Sequence, residues 1–351
     1  MKFKCFGISI LLVSGMIGLM ASPPLNAQWV YDLNTRNGDI RVLGDDAGDY
    51  SGFSVSSGDI NGDGIDDIII GACDADPAGG NAAGETYVIY GSSSFPANHT
   101  IDLNSVSADI TIYGDDADDC SGHSVSSGDI NGDGIDDIII GAPCAGYAAG
   151  ETYVIYGSSS FPANHTIDLN SVSADITIYG DDTLDYSGYS VSSGDINGDG
   201  IDDIIIGAPC AGYGGGETYV IYGSSSFPAN HTIDLNSVSA DITIYGNDAD
   251  DYSGHSVSSG DINGDGIDDI IIGAPYADPA GGGDGGETYV IYGSNSFPAN
   301  HTIDLNSVSA DITIYGDDAL DYSGYSVSSG DINGDGIDDI IIGAPCAGYG
   351  G

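Results

Sequence analysis

The string DINGDGIDDIIIGA occurs five times in this chain, beginning at Asp59, Asp129, Asp195, Asp261 and Asp331, at intervals of 70, 66, 66 and 70 residues. A period this regular means one supersecondary unit copied along the chain, each copy completing its core against its neighbours. The same companions surround every core. Upstream lies a Ser-Gly-aromatic-Ser-Val-Ser-Ser-Gly segment, as in SGFSVSSG from Ser51 and SGYSVSSG from Ser187. Downstream, wherever the copy continues, come ETYVIYG and then SFPANHTIDLNSVSADITIYG.

Each copy reads as four short strands, in the second copy about 123–130, 137–142, 151–157 and 175–180. These segments are rich in Val, Ile, Thr and Tyr and bounded by Gly, Pro, Asn and Asp, the strand-and-turn signature. No long stretch carries a helical period. The run Ile138-Ile139-Ile140 suits a strand covered on both faces, as an inner strand of a blade is covered by its two flanking blades. Burying one such side chain is worth about 1.5–3 kcal/mol, so the five runs form the main core. Four strands per unit at this period favour blades set around an axis over a thin solenoid. The predicted fold is all-β: a β-propeller of four-stranded antiparallel blades, with five units seen and the last incomplete. After the fifth core the chain reads CAGYGG where the other copies continue into ETYVIYG, and Trp29–Gly44 matches the outer-strand segment of a unit. Read so, the chain is a portion of a longer repeat array. The alternative is a propeller whose last blade is defective or is completed by oligomerisation.

Charge narrows the function classes. The chain has 54 Asp+Glu against 4 Lys+Arg, a net charge of -50. Lys2 and Lys4 precede an apolar run, Ile8 to Met20, followed by Pro23-Pro24 and small residues to Ala27. That order is a secretory signal peptide, residues 1–27, and the run is shorter than the ~20 residues a membrane span needs. The mature part, 28–351, keeps only Arg36 and Arg41 as permanent cations, so no basic patch exists for a phosphate backbone. Such acidity suits cation binding and solubility, and equally a salt-rich habitat. Hydrophobic residues still make 41% of the chain, and their clustering argues for order. Five cysteines remain beyond the leader, an odd number, so disulfides are not the framework. Cys120 and Cys144 flank the second repeat's loop on paired strands, within disulfide reach; free thiols are the alternative.

The chemistry sits in a nine-residue loop. In Asp59-Ile60-Asn61-Gly62-Asp63-Gly64-Ile65-Asp66-Asp67, side-chain oxygens fall at positions 1, 3, 5 and 9, glycine stands at 6, and position 7 offers a carbonyl. Calcium takes six to eight oxygen ligands, and alternate residues of a tight loop can face one ion. The candidate ligands are Asp59, Asn61, Asp63, Ile65 (carbonyl) and Asp67 in the first copy, then Asp129, Asn131, Asp133, Ile135 and Asp137 in the second. The third supplies Asp195, Asn197, Asp199, Ile201 and Asp203. The fourth supplies Asp261, Asn263, Asp265, Ile267 and Asp269, and the fifth Asp331, Asn333, Asp335, Ile337 and Asp339. About one Ca2+ per repeat is expected. Asp66 and its counterparts, at position 8, are expected to point into solvent. An EF-hand would need Glu at position 12, where Ile70 stands in a strand, so the loop joins two strands and not two helices. Magnesium would demand stricter octahedral geometry, and zinc prefers nitrogen or sulfur ligands. The competing explanation is a plain Asp/Asn/Gly turn, which does not account for acids at positions 1, 5 and 9 that repel without a cation.

At these residues the unit resembles the FG-GAP repeat of integrin alpha-chain propellers and of related bacterial secreted proteins, over essentially the whole mature chain. The GAP half stands as Gly141-Ala142-Pro143 and in later copies, with Cys73 in place of proline in the first. The FG half is degenerate, with His123 and His255 in the aromatic slot of Phe53, Tyr189 and Tyr325. The resemblance implies a calcium-stabilised propeller that presents loops to protein or glycan ligands. Integrin propellers have seven blades, and this chain has five cores.

His123 and His255 read as strand residues tolerated at an aromatic position. The Asn-His-Thr sequons at Asn98, Asn164, Asn230 and Asn300 read as part of the copied unit. Glu85, Glu151, Glu217 and Glu287 open the third strand of each copy. Paired carboxylates can do glycosidase chemistry, but a catalytic site is normally a singular constellation and every acid here recurs. The expectation is a secreted, non-enzymatic binding or adhesion module for an extracellular protein or glycan, with no nucleic acid as partner. The second reading is the propeller portion of a larger secreted enzyme of the phospholipase-like kind. The copies differ most between the second and third strands, which makes that face, with Tyr147, Tyr213, Tyr276 and Tyr349, the expected ligand surface.

Overall fold

The structure, a computed structural model, describes residues 40–77, 81–96, 99–278 and 283–347. The signal peptide, Asn98 and Tyr349 lie outside these residues. The first full repeat contributes β2 (Ser54–Gly58), β3 (Asp67–Ala72), β4 (Glu85–Ile89), β5 (His99–Asp102) and β6 (Ile110–Tyr113), preceded by β1 (Ile40–Leu43). The second contributes β7 (Ser124–Gly128), β8 (Asp137–Ala142), β9 (Glu151–Ile155), β10 (His165–Asp168) and β11 (Ile176–Tyr179). The third and fourth repeat this set as β12 (Ser190–Gly194), β13 (Asp203–Ala208), β14 (Glu217–Ile221), β15 (His231–Asp234) and β16 (Ile242–Tyr245), then β17 (Ser256–Gly260), β18 (Asp269–Ala274), β19 (Glu287–Ile291), β20 (His301–Asp304) and β21 (Ile312–Tyr315). The fifth shows β22 (Ser326–Gly330) and β23 (Asp339–Gly343).

Within a unit, β2, β3, β4 and β6 pair in sequence as a four-stranded antiparallel blade, as the strand pattern predicts. One strand departs from that reading. The HTID segment, taken as connection in the sequence, is a fifth strand: β10 leaves its own unit and pairs parallel with β6 of the preceding blade. Three of its four residues are half-buried and Thr166 is exposed, a segment too short and too polar to announce a strand by pattern alone. The swap recurs as β15 on β11 and β20 on β16, and β1 receives β5 in the same way. Each blade is thus fastened to the next by main-chain hydrogen bonds at its outer edge. Among the described residues the five blades form an open series, with β2 and β22 at its two ends.

The core lies between blades. Ile60, Ile69, Val88, Ile110 and Ile112 of the first blade pack on Val125, Ile138, Ile140, Tyr153 and Ile155 of the second. Ile139 faces the other way, into the core shared with the third blade. All three residues of the Ile138–Ile140 run have no exposure, so the two-sided burial read from the sequence holds. The paired glycines of the motif follow from the same packing. Gly188, at φ +83, sets its carbonyl where a Cβ on Gly141 of the preceding blade would lie, 2.0 Å away. Only glycine at position 141 lets the two backbones meet.

Candidate metal loops and the ligand face

Each nine-residue loop joins the first two strands of its blade, so all five open at the same end. In the second copy Asp129 turns back over the loop, accepting from the N–H of Asp133 (2.9 Å) and Gly134 (2.9 Å). Asp133 accepts from the N–H of Ile135 at 3.0 Å. These are the bonds of a compact Asx-type turn. Asp137 does something else. It is fully buried and accepts from Ile130 N (3.0 Å), Gly157 N (2.9 Å) and Asn131 Nδ2 (3.1 Å). Burial pushes its carboxyl up to about 8, the backbone donors oppose the shift, and Asp133 and Asp129 add to it. Asp203 is likewise pushed up to about 8, and Asp67 and Asp269 to about 6, burial being the main cause each time.

The loop carries oxygen donors of the kind a hard cation takes, and a buried carboxylate that no lysine or arginine near it neutralises. The carboxylates at positions 1, 5 and 9 do not converge. Among the described residues only Asp317, Asp318 and Asp321 bring three ligand atoms within 4.8 Å of one another. That trio belongs to a second recurring acidic segment, Gly-Asp/Asn-Asp-x-x-Asp before each first strand, which the sequence reading passed over. In the first blade it closes on β4: the Tyr87 hydroxyl donates to Asp45 (2.9 Å) and to Glu85. Burial, with Asp45, Asp49 and Asp46 nearby, pushes Glu85 up to about 7.

Position 8 corrects the sequence reading. Asp136, Asp202 and Asp268 are half-buried; each reaches the preceding blade and accepts from the N–H of its position 1 residue. These are Asp59 (2.9 Å), Asp129 (3.0 Å) and Asp195 (3.1 Å). Only Asp66 in the first blade is left exposed. Sequence spacing gave the outward direction of this side chain, but not that the next repeat stands there.

The aromatic slot forms a ladder. Phe53, His123, Tyr189, His255 and Tyr325 stack blade to blade with centroids 4.8, 4.5, 5.0 and 4.6 Å apart. The two histidines pack at tilted angles between the rings of the flanking blades, each in the bend one residue before its strand and not within it as the sequence reading expected. The Cys120 and Cys144 thiols lie close enough to shift each other, Cys120 raised and Cys144 lowered, while the Cys120 thiol donates to the Asp118 carbonyl at 3.8 Å. No disulfide joins them; all five cysteines beyond the leader are free thiols.

At the opposite end of the blades, Tyr147 and Tyr213 are 90% and 95% exposed. Both sit in the left-handed region, φ 61° and 64°, on turns that follow equally left-handed Gly146 and Gly212. A bulky residue in that region is strained, so the turn holds each ring out into solvent against local preference. Tyr276 does not join them. It stands directly after Gly273-Ala274-Pro275, in the place that Cys144 and Cys210 hold in their copies, and packs between Tyr252 (5.1 Å) and Tyr322 (5.2 Å).

No helix among the described residues is long and apolar enough to cross a membrane. The FG-GAP repeat family model matches residues 51–89, 121–155, 187–221, 253–291 and 323–351. The chain is 31% identical over 243 residues to Integrin alpha pat-2 of Caenorhabditis elegans, covering 64% of this chain and 18% of the relative. It is 32% identical over 252 residues to a phosphatidylinositol-glycan-specific phospholipase D of Dictyostelium discoideum, covering 65% and 26%. The chain thus spans about a fifth to a quarter of the length of these curated relatives.

Proposed function

Because this chain belongs to the FG-GAP repeat family, we propose that it is a secreted, calcium-binding β-propeller module that captures an extracellular protein or glycan and has no catalytic role of its own. The observation that carries the binding role is the pair Tyr147 and Tyr213. Two successive blades hold out the same aromatic ring, nearly free of contacts, from a rigid sheet and a left-handed turn. Tyrosine is enriched at interfaces because it offers a large amphipathic surface at small entropic cost. Strained backbone that persists is a pointer to function.

The calcium role rests on the loops. Asp129, Asn131, Asp133, the Ile135 carbonyl and Asp137 would hold the ion in the second blade, and their counterparts in the other four. A bound dication neutralises charge that the loop otherwise concentrates around a buried carboxylate. The residues thereby brace the turn between the first two strands and leave the far face free for ligand. The relatives include a phospholipase D, which supports a second reading: the propeller portion of a larger secreted enzyme whose catalytic part lies outside this chain.

The test is the double substitution Tyr147→Ala with Tyr213→Ala, probed on an array of glycans and extracellular-matrix proteins. Binding seen for the unaltered chain should be lost, while calcium-dependent melting is unchanged. Retained binding would remove these rings from the ligand site.

A further inference from the structure

Successive nine-residue loops are fastened to one another. The residue at position 8 of one loop holds position 1 of the loop before it by both main-chain groups. Asp202 N–H donates to the Asp129 carbonyl (3.2 Å), while the Asp202 carboxylate accepts from the Asp129 N–H (3.0 Å). Asp136 holds Asp59 in the same way (3.2 and 2.9 Å), and Asp268 holds Asp195 (3.1 and 3.1 Å). Two further contacts cross the same joint. The Ile201 side chain, at position 7, lies against position 4 of the preceding loop, where a Cβ on Gly132 would stand 3.1 Å from its Cδ1. Gly223 N–H donates to the Asp203 carboxylate, at position 9 (2.9 Å), and the adjoining Ser224 N–H donates to the carbonyl of Ile130, at position 2 of the preceding loop (2.9 Å). Positions 7, 8 and 9 of one loop thus bear directly or through one neighbour on positions 1, 2 and 4 of the loop before it.

We propose that the loops take up calcium cooperatively, and that Asp136, Asp202 and Asp268 are the positioning residues that couple one loop to the next. This rests on the calcium reading of the loops and adds how their filling is regulated. Positions 7 and 9 are candidate ligands, so a loop that fills fixes the residues on either side of position 8. Position 8 in turn fixes position 1 of the preceding loop, itself a candidate ligand. Part of the ordering that the preceding loop needs is then already in place, and a site that needs less ordering binds more tightly. The coupling is reciprocal: the preceding loop, once filled, favours its neighbour by the same factor. Repulsion between ions in adjacent loops works against it, and at ~0.15 M salt a Debye length of ~8 Å screens that repulsion. Positive coupling adds to the stabilisation that independent loops would give.

Equilibrium dialysis of the full chain against calcium chloride at ~0.15 M salt, reading bound against free calcium, tests this. Uptake should be saturable with a Hill coefficient of about 2, the slope of a short row of sites coupled about tenfold. Replacing Asp136, Asp202 and Asp268 together by Ala should lower the coefficient toward 1 with the number of ions bound unchanged. Asn in the same three places should restore the slope, since its side-chain oxygen accepts the same bond. Saturable uptake with a coefficient of 1 in the unaltered chain overturns the coupling and leaves the calcium reading standing. No saturable uptake overturns both. A slope that survives the Ala substitutions, or that Asn fails to restore, removes these residues from the coupling. Should the Ala variant not fold, Asp199→Ala, at an exposed position of the third loop, replaces it. The remaining uptake should then reach half-saturation at higher free calcium, and an unchanged half-saturation would overturn the proposal.

Discussion

Asp137 and Glu151 carry the electrostatics of one repeat. Each is a carboxyl taken out of water beside others of the same charge, and burial is the first cause of its shift. Glu85, Glu151 and Glu217 are pushed up to about 7, and Asp137 and Asp203 to about 8. Their folded values exceed the unfolded ones, near 4, so over that range the folded chain binds more protons than the unfolded chain. Stability is then greatest at low pH and is lost as pH rises through the folded values. The metal-free protein should melt at a progressively lower temperature from about pH 5 to about pH 8. Glu151→Gln should flatten part of that slope. A melting temperature that climbs over this window would contradict the assignment.

A blade is defined by what its neighbour covers. The isoleucine at position 2 of the loop is the same residue in every copy, yet Ile130 has no exposure and Ile332 is 71% exposed. Truncating a buried isoleucine removes transfer energy and leaves a cavity, at about 2–5 kcal/mol. Ile130→Ala should cost that much in chemical denaturation, and Ile332→Ala under about 0.5 kcal/mol. Equal losses would mean that the fifth blade is covered in solution as the second is. The outer strand β10 makes the same point, since its place is set by the preceding blade and not by its own unit.

For the molecule as a whole, the five loops act together. Extracellular modules bind calcium with dissociation constants near 10⁻⁴–10⁻³ M. Under the proposed calcium role, at free calcium about tenfold above that constant each loop would add ~1.4 kcal/mol, and five independent loops about 7. That sum is comparable to a whole domain's stability. Chelation should lower the melting temperature by on the order of ten degrees or more. Replacing Asp133 and Asp137 by Ala should remove one site of five by calorimetric titration. A melting curve indifferent to chelator would refute the calcium reading.

The period, the four-stranded blade and the two-sided burial of Ile138–Ile140 were all legible in the residues. Each is a local pattern: a copied string, strand segments bounded by turn residues, a run of β-branched side chains. Other features were decided only by the tertiary structure. The strand His165–Asp168 pairs outside its unit, Asp136 staples two blades, Tyr276 is packed while Tyr147 and Tyr213 stand free, and Cys120 meets Cys144 as a thiol. The strand and Asp136 meet partners in the neighbouring unit, while the tyrosines and the two cysteines depend on how the connection after the second strand folds in each copy. Identical segments present identical faces, and whether a face is core or surface depends on whether another blade stands against it.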